Sequence, residues 1–131
     1  SLIMREYSFE KLEVWKEARL LTKKIYHLTK DFPKEEMFGI KSQLRRAVVS
    51  VGLNIAEGSG MITGKDQARF YKIAYGSLLE VLAGLLVSQD LDFLSEDQIK
   101  KTRVSISKIS NQLNALSKAA INNSTHKRIN S

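Results

Sequence analysis

The sequence predicts an all-α protein, an up-down-up-down antiparallel four-helix bundle. Three observations lead there. Apolar residues recur at alternating spacings of three and four, no segment alternates with the period of a strand, and three short breaks separate four long helical stretches. The length fits one domain, because a chain of 131 residues buries about two-thirds of its unfolded surface in a single core without metals or disulfides.

In the first helix, expected over about residues 10–30, Val14, Ala18, Leu21, Ile25, Leu28 and Phe32 form the seam. Trp15 lies beside that seam as an edge-packing residue. Lys16, Arg19, Lys23 and Lys24 lie away from it as a basic, exposed surface. Pro33, the only proline, disfavours helix at Phe32 and can open a second helix near Lys34 to Met37. That helix runs to about Ala56, with Ile40, Leu44, Ala47, Val48, Val51 and Ile55 on its apolar side. It stops at Gly58-Ser59-Gly60, where glycine can take the left-handed cap conformation. Gln43, Arg46, Ser50, Asn54 and Glu57 fall within about 80° on the wheel, so a thin polar stripe runs opposite the apolar side.

Thr63-Gly64-Lys65-Asp66 has the form of a capping box and starts the third helix near Gly64. Phe70, Ile73, Ala74, Leu78, Val81, Leu82 and Leu85 make its core face, and Leu79, Leu86 and Val87 add apolar surface outside that face. One bundle core does not require so much, and the excess favours burial against a second subunit. Asp90-Leu91-Asp92 ends this helix, and Ser95-Glu96-Asp97-Gln98 caps a fourth over about residues 96–121, with Ile99, Thr102, Ile106, Ile109, Leu113, Leu116 and Ala120 as its seam. Asn122-Asn123-Ser124-Thr125 breaks the pattern. The expected organisation is an N-terminal segment over residues 1–9, a bundle domain over 10–122 and a polar, disordered tail over 123–131. Met4 has the look of a natural start, which makes Ser1-Leu2-Ile3 fit an expression scar.

Charge and composition narrow the function. Twenty-one Lys and Arg against fourteen Asp and Glu leave a formal charge of +7, which points to a polyanionic partner, RNA or DNA. After Asp97 there is no acidic residue, while Lys100, Lys101, Arg103, Lys108, Lys118, Lys127 and Arg128 follow. The absence of cysteine excludes disulfide scaffolds, thiolate metal sites and cysteine nucleophiles, and suits a reducing compartment. With no continuous apolar run of about 20 residues and no signal-peptide core, a soluble cytoplasmic protein without a membrane partner is expected.

Catalysis finds no carrier. Gly60-Met61-Ile62-Thr63-Gly64-Lys65 has three residues between its glycines where a P-loop has four, and Asp66 follows the lysine. Neither histidine, His27 or His126, has a Glu three residues before it, as di-iron bundles require. No enzyme activity, cofactor, metal or small-molecule substrate is therefore expected.

Two sets of residues stand out instead. Glu80 is grouped on its helix with small neighbours, Gly76, Ser77, Ala83 and Gly84, which let another helix approach. It is either solvent-facing or pressed between helices and paired with Arg45 or Arg46. A polar network of Arg46, Ser50, Asn54, Glu57 and Glu80 follows from the second case. Alternatively Arg45 and Arg46 face outward with Lys41 and, across the next helix, Arg69 and Lys72, as an anion-binding patch. Tyr26, Phe70, Tyr71 and Tyr75 all fall at seam-like spacings, so any nucleic-acid binding is expected to be backbone contact with little sequence specificity.

Phe9 with Lys11-Leu12-Glu13-Val14-Trp15, Phe32-Pro33-Lys34-Glu35-Glu36, Gln43-Leu44-Arg45-Arg46-Ala47, Asn54-Ile55-Ala56-Glu57-Gly58 and Gly76-Ser77-Leu78-Leu79-Glu80 together resemble a bacterial four-helix-bundle family. Its members are encoded in intervening sequences of large-subunit ribosomal RNA genes, and the family is in turn similar to the accessory variability protein of diversity-generating retroelements. The resemblance covers about residues 8–120. It implies a non-enzymatic homo-oligomer, a pentameric ring by analogy with the accessory protein, and it favours nucleic-acid binding. One departure is that Val51-Gly52-Leu53 stands where the family has a proline before Asn54-Ile55-Ala56-Glu57. The function expected is a basic, homo-oligomeric, nucleic-acid-binding module. The alternative is a protein-interaction scaffold, for a reverse-transcriptase-like or ribosome-associated partner, with no nucleic-acid role.

Overall fold

A computed structural model describes residues 4–130, with side chains described as far as Asn123. Four helices pack in sequence order: α1 (Glu13–Thr29), α2 (Ile40–Ser59), α3 (Gly64–Asp90) and α4 (Glu96–Asn130). Among the described residues there is no strand. α2 packs most extensively on α3 and α3 on α4, while α1 closes the ring against α2 and α4. α1 and α3 therefore run one way and α2 and α4 the other, as short connections between antiparallel neighbours require.

The seams on α1, α2 and α4 follow the 3.6-residue period. Val14, Ala18, Leu21, Ile25 and Phe32 are buried, as are Leu44, Ala47, Val48, Val51 and Ile55, and as are Ile99, Thr102, Ile106, Ile109, Leu113 and Ala120. Leu28, Ile40 and Leu116 are half-buried against this core. On α3 Ala74, Leu78, Val81 and Leu85 are buried as expected and Phe70 and Leu82 are half-buried, but Ile73 is not part of the core. Tyr71 is buried and Ile73 exposed, and the buried set is Ala68, Tyr71, Ala74, Leu78, Val81, Leu85 and Ser88. Burial pushes the Tyr71 hydroxyl pKa above the usual tyrosine value.

Four further points correct the sequence reading. Pro33 opens only a 3-10 turn, Lys34–Glu36. Gly39 then leaves helical geometry, and α2 begins at Ile40, whose N–H donates to Glu36 Oε2 at 3.2 Å. The end of α2 uses no left-handed glycine, since no glycine has positive φ among the described residues and Gly60 sits at φ −89°. The one left-handed residue is Asp92, φ 63°, closing α3 with Phe93 N–H to Ser88 O and Asp92 N–H to Gln89 O, both 2.9 Å, the paired bonds of a Schellman cap. Finally, α4 continues through Asn122 and Asn123 to Asn130. The two helix starts read as capping boxes are both used. Thr63 accepts from Asp66 N–H at 3.1 Å, and Ser95 and Gln98 bond reciprocally.

Gly58 and Gly84 are selected by packing. A Cβ on Gly58 would stand 2.8 Å from the Tyr71 ring, and one on Gly84 would stand 2.7 Å from Leu44. A side chain of each helix thus seats on bare backbone of the other, at opposite ends of the α2–α3 contact.

α3 is also long and apolar enough to cross a membrane by length and composition, with an 18-residue window of mean hydropathy 1.5 and 28% of that window buried. Its apolar residues are spread round the helix between charged ones, which is why no unbroken run marks it in the sequence. α2 and α4 cover its inner face, and Ile73, Leu79, Leu86 and Val87 remain exposed along its outer face.

α1 is tied to its neighbours by polar side chains. Arg45 Nε donates to Thr29 Oγ1 at 3.0 Å and Arg45 Nη2 to the Tyr26 carbonyl at 3.1 Å, while the guanidinium lies over the Tyr26 ring, 4.4 Å from its centroid. Thr29 is fully buried. Lys108 Nζ meets Glu17 Oε1 at 2.7 Å between α4 and α1.

Two outcomes test this packing. Gly58→Ala should lower stability by about 1–3 kcal/mol, the cost of overpacking, whereas Gly60→Ala should stay within about 0.5 kcal/mol of the parent; urea midpoints measure both. Arg45→Ala should cost about 1–2 kcal/mol for the lost bonds and ring contact, with exposed Lys30→Ala as the neutral control.

Candidate functional site

The polar stripe of α2 lies on the outer surface and meets α3 along one seam. Ser50 Oγ lies 2.9 Å from Ser77 Oγ of α3. Asn54 Nδ2 donates to the Ser50 carbonyl at 2.8 Å and to Ser50 Oγ at 3.0 Å. Gln43 Nε2 donates to Glu80 Oε2 at 3.3 Å. Ser50, Asn54 and Glu80 are thus joined to two residues outside the expected network, Gln43 and Ser77. The side chains of Arg46 and Glu57, which the reading placed in it, make no hydrogen bond or ion pair among the described residues.

Glu80 is exposed, and its partner is Gln43, not Arg45 or Arg46. The pairing fails because consecutive helix residues diverge by about 100°. Arg45 turns towards α1 and is consumed by Thr29 and Tyr26, while Arg46 points outward.

Of the five cations expected to form one anion-binding patch, Lys41, Arg45 and Arg46 lie on α2 and Arg69 and Lys72 on α3. Lys41, Arg45 and Arg46 line a groove along the outer surface of α2, together with Tyr26 of α1, Val49 and Leu53, and with Ser50 and Asn54 of the α2–α3 seam. The groove continues between α1 and α2 past Trp15, Arg19, Lys23 and Gly52. Glu57 at its far end is its one acidic lining residue. Arg69 and Lys72 lie on α3. Arg69 sits over the Phe70 ring, 4.6 Å from the centroid, and 4.0 Å from Asp66, a solvated contact of little energy. Lys72 faces a crevice between α3 and α4 with Tyr75, Asn114, Ser117 and Lys118.

That crevice borders a one-sign surface. Lys100, Arg103 and Lys118 are exposed on the outer face of α4, and among the described residues none of them is in an ion pair. Lys101 and Lys108 are balanced by Asp97 and Glu17, and the hydrogen bond and charge of Glu17 raise the Lys108 pKa. At about 1.5 Å per residue, Lys100 to Lys118 spans about 27 Å.

Among the described residues no three His, Asp or Glu side chains gather where a metal would bind. His27 is exposed; His126 lies beyond the described side chains. The Gly60–Lys65 stretch is a connection and a helix cap, with Gln67 Nε2 bonded to the Met61 carbonyl.

The fold has a solved counterpart: a crystal structure at 1.70 Å of a protein of unknown function from the S23 ribosomal protein family of Bacteroides thetaiotaomicron. It superposes with a TM-score of 0.71 at 18% identity, over 80% of this chain and 98% of that one. No curated protein matches the chain. The family model described as 23S rRNA-intervening sequence protein matches residues 10–115, from the turn before α1 well into α4, and the chain belongs to that family.

Proposed function

We propose that this protein is a non-enzymatic, homo-oligomeric bundle that binds RNA or DNA through the phosphate backbone with little sequence specificity. The observation that carries the reading is the outer face of α4, where Lys100, Arg103 and Lys118 stand without an ion-pair partner among the described residues along about 27 Å, with no acidic residue after Asp97. Lys72 and the polar Asn114 and Ser117 flank the end of that line. Cations spaced along such a face neutralise separated phosphates, contacts that carry no sequence information directly. Exposed aromatic platforms are scarce on this side, since Tyr75 is half-buried and Tyr26 is stacked under Arg45 on the other.

The homo-oligomeric part rests on the outer face of α3. Ile73, Leu79, Leu86 and Val87 are each about 40–47% exposed on one helix face, and α2 and α4 already cover the other. The same face supports a second reading, a protein-interaction scaffold without a nucleic-acid role.

Electrophoretic shift with structured RNA across a salt series separates the two. The expected result is binding whose log K falls with log salt by a slope of about −3 or steeper, for three or more phosphates neutralised. Reversing Lys100, Arg103 and Lys118 to Glu should abolish the shift and leave the helical circular dichroism unchanged. No binding at low salt leaves the scaffold reading. Light scattering reads the assembly separately, and a monomer at high micromolar concentration contradicts the oligomer.

A further inference from the structure

The furrow between α1 and α2 is apolar at its base and basic at its rim, and none of the residues lining it belongs to α3 or α4. Its base exists because Gly52 has no side chain. A Cβ there would stand 3.3 Å from the Trp15 ring, so the indole lies on the backbone of α2. Val49 and Leu53 extend the base along α2, with Leu53 55% exposed. The Thr22 hydroxyl is spent on main chain, donating to the Ala18 carbonyl at 2.8 Å and the Val48 carbonyl at 3.4 Å.

The rim has one sign along most of its length. Arg19 and Lys23 stand one turn apart on α1, and Arg46 stands on α2, seven residues before Leu53 and on the same face. Among the described residues none of the three is in an ion pair. The acidic residues of α1 do not balance them, since Glu17 is drawn to Lys108 of α4 and Glu13 pairs with Lys16.

We propose that this furrow is the docking site for an acidic amphipathic helix of a partner protein. The aliphatic face of that helix seats on Trp15, Val49 and Leu53, and carboxylates on its two flanks meet Arg19 and Lys23 on one side and Arg46 on the other.

The state of the two rings favours a protein over a nucleic acid. A stacked base needs an open aromatic face. Tyr26 already carries the Arg45 guanidinium, 4.4 Å from its centroid. Trp15 lies on Gly52, has the Arg19 guanidinium 6.0 Å from its centroid and meets Phe9 edge-to-face at 4.8 Å. An aliphatic side chain needs only the apolar surface that Val49 and Leu53 leave open, and burying that surface is favourable.

Dimensions favour a helix over an extended peptide. The described residues offer no sheet edge to which a strand could add. Trp15 is level with Gly52 and Tyr26 with Arg45, and the two levels are eleven residues apart on α1, about 16 Å. A helix of about three turns fills that length, with anchors at i, i+4, i+7 and i+11. Charge decides its flanks. Carboxylates are complementary to this rim, whereas a second copy of this chain would bring a net charge of +7 to it.

Trp15 is the only tryptophan of the chain, so its fluorescence reads the furrow directly. The probes are two synthetic tryptophan-free helical peptides, both with leucine at i, i+4, i+7 and i+11, one with glutamate and one with lysine at the flanking positions. The glutamate peptide should shift the emission to the blue in a saturable titration, and the lysine peptide should bind at least tenfold more weakly. Leu53→Asp, at an exposed position, should keep the parent's circular dichroism and weaken the glutamate peptide at least tenfold. Arg19→Glu with Lys23→Glu should reverse the preference between the peptides, a result that lost folding cannot produce. No shift with the glutamate peptide, equal binding of the two peptides, or full binding by Leu53→Asp overturns the proposal. It is equally overturned if single-stranded RNA shifts Trp15 as the peptide does, which gives the furrow to nucleic acid. The same holds if Leu53→Asp turns an assembling parent into a monomer, which gives it to a second copy.

Discussion

The seating of α2 on α3 is the constraint on which the rest of the molecule depends. It is reciprocal, with Leu44 of α2 resting on the bare backbone at Gly84 and Tyr71 of α3 resting on the bare backbone at Gly58. Between these two points Val48, Val51 and Ile55 face the α3 residues Ala74, Leu78 and Val81, all fully buried. Close-packed interiors tolerate little sliding, so the two contacts fix the relative height of the helices. The seam of Ser50–Ser77 and Gln43–Glu80 then falls into place on the outer edge of that contact.

Fixed height gives the surface its electrical order. Glu57 and Arg69 lie towards the end of the bundle where α2 meets α3, and Lys41, Arg46, Glu80 and Asp90 lie further towards the opposite end. An exposed charge contributes little to the stability of its own chain, and the side chains of Arg46 and Glu57 have no partner among the described residues. Such charges matter where a second surface excludes water from them, because Coulomb attraction strengthens as the local dielectric falls. Arg45, one residue away, shows the contrasting use: it is stacked on Tyr26 and bonded to Thr29, and so belongs to the packing of α1 on α2.

The outer faces of α3 and α4 divide the remaining work. The α3 face is apolar and suits contact with protein; the α4 face is basic beyond Asp97 and suits contact with phosphate. The two faces are next to each other but chemically distinct.

Much of the fold was legible in the sequence because helical periodicity is a local property. The seams of α1, α2 and α4, the caps at Thr63 and Ser95, and the apolar excess of α3 follow from spacing alone. Where local rules failed, a tertiary contact had decided. Tyr71 is buried because its ring fills the space over Gly58, while Ile73, about 200° round the helix, faces out. Gly58 serves packing against Tyr71, and Gly60 ends α2 without a left-handed turn. The polar stripe of α2 was readable in the same way, but the partners of its members were not. Whether Arg45 or Arg46 faces α1, and whether Glu80 meets a cation or Gln43, depends on how neighbouring helices are rotated. The sequence by itself determined four amphipathic helices and their order. Only the tertiary structure decided how those helices are rotated and set against one another, because helix register is set by side chains packing across elements and not along them.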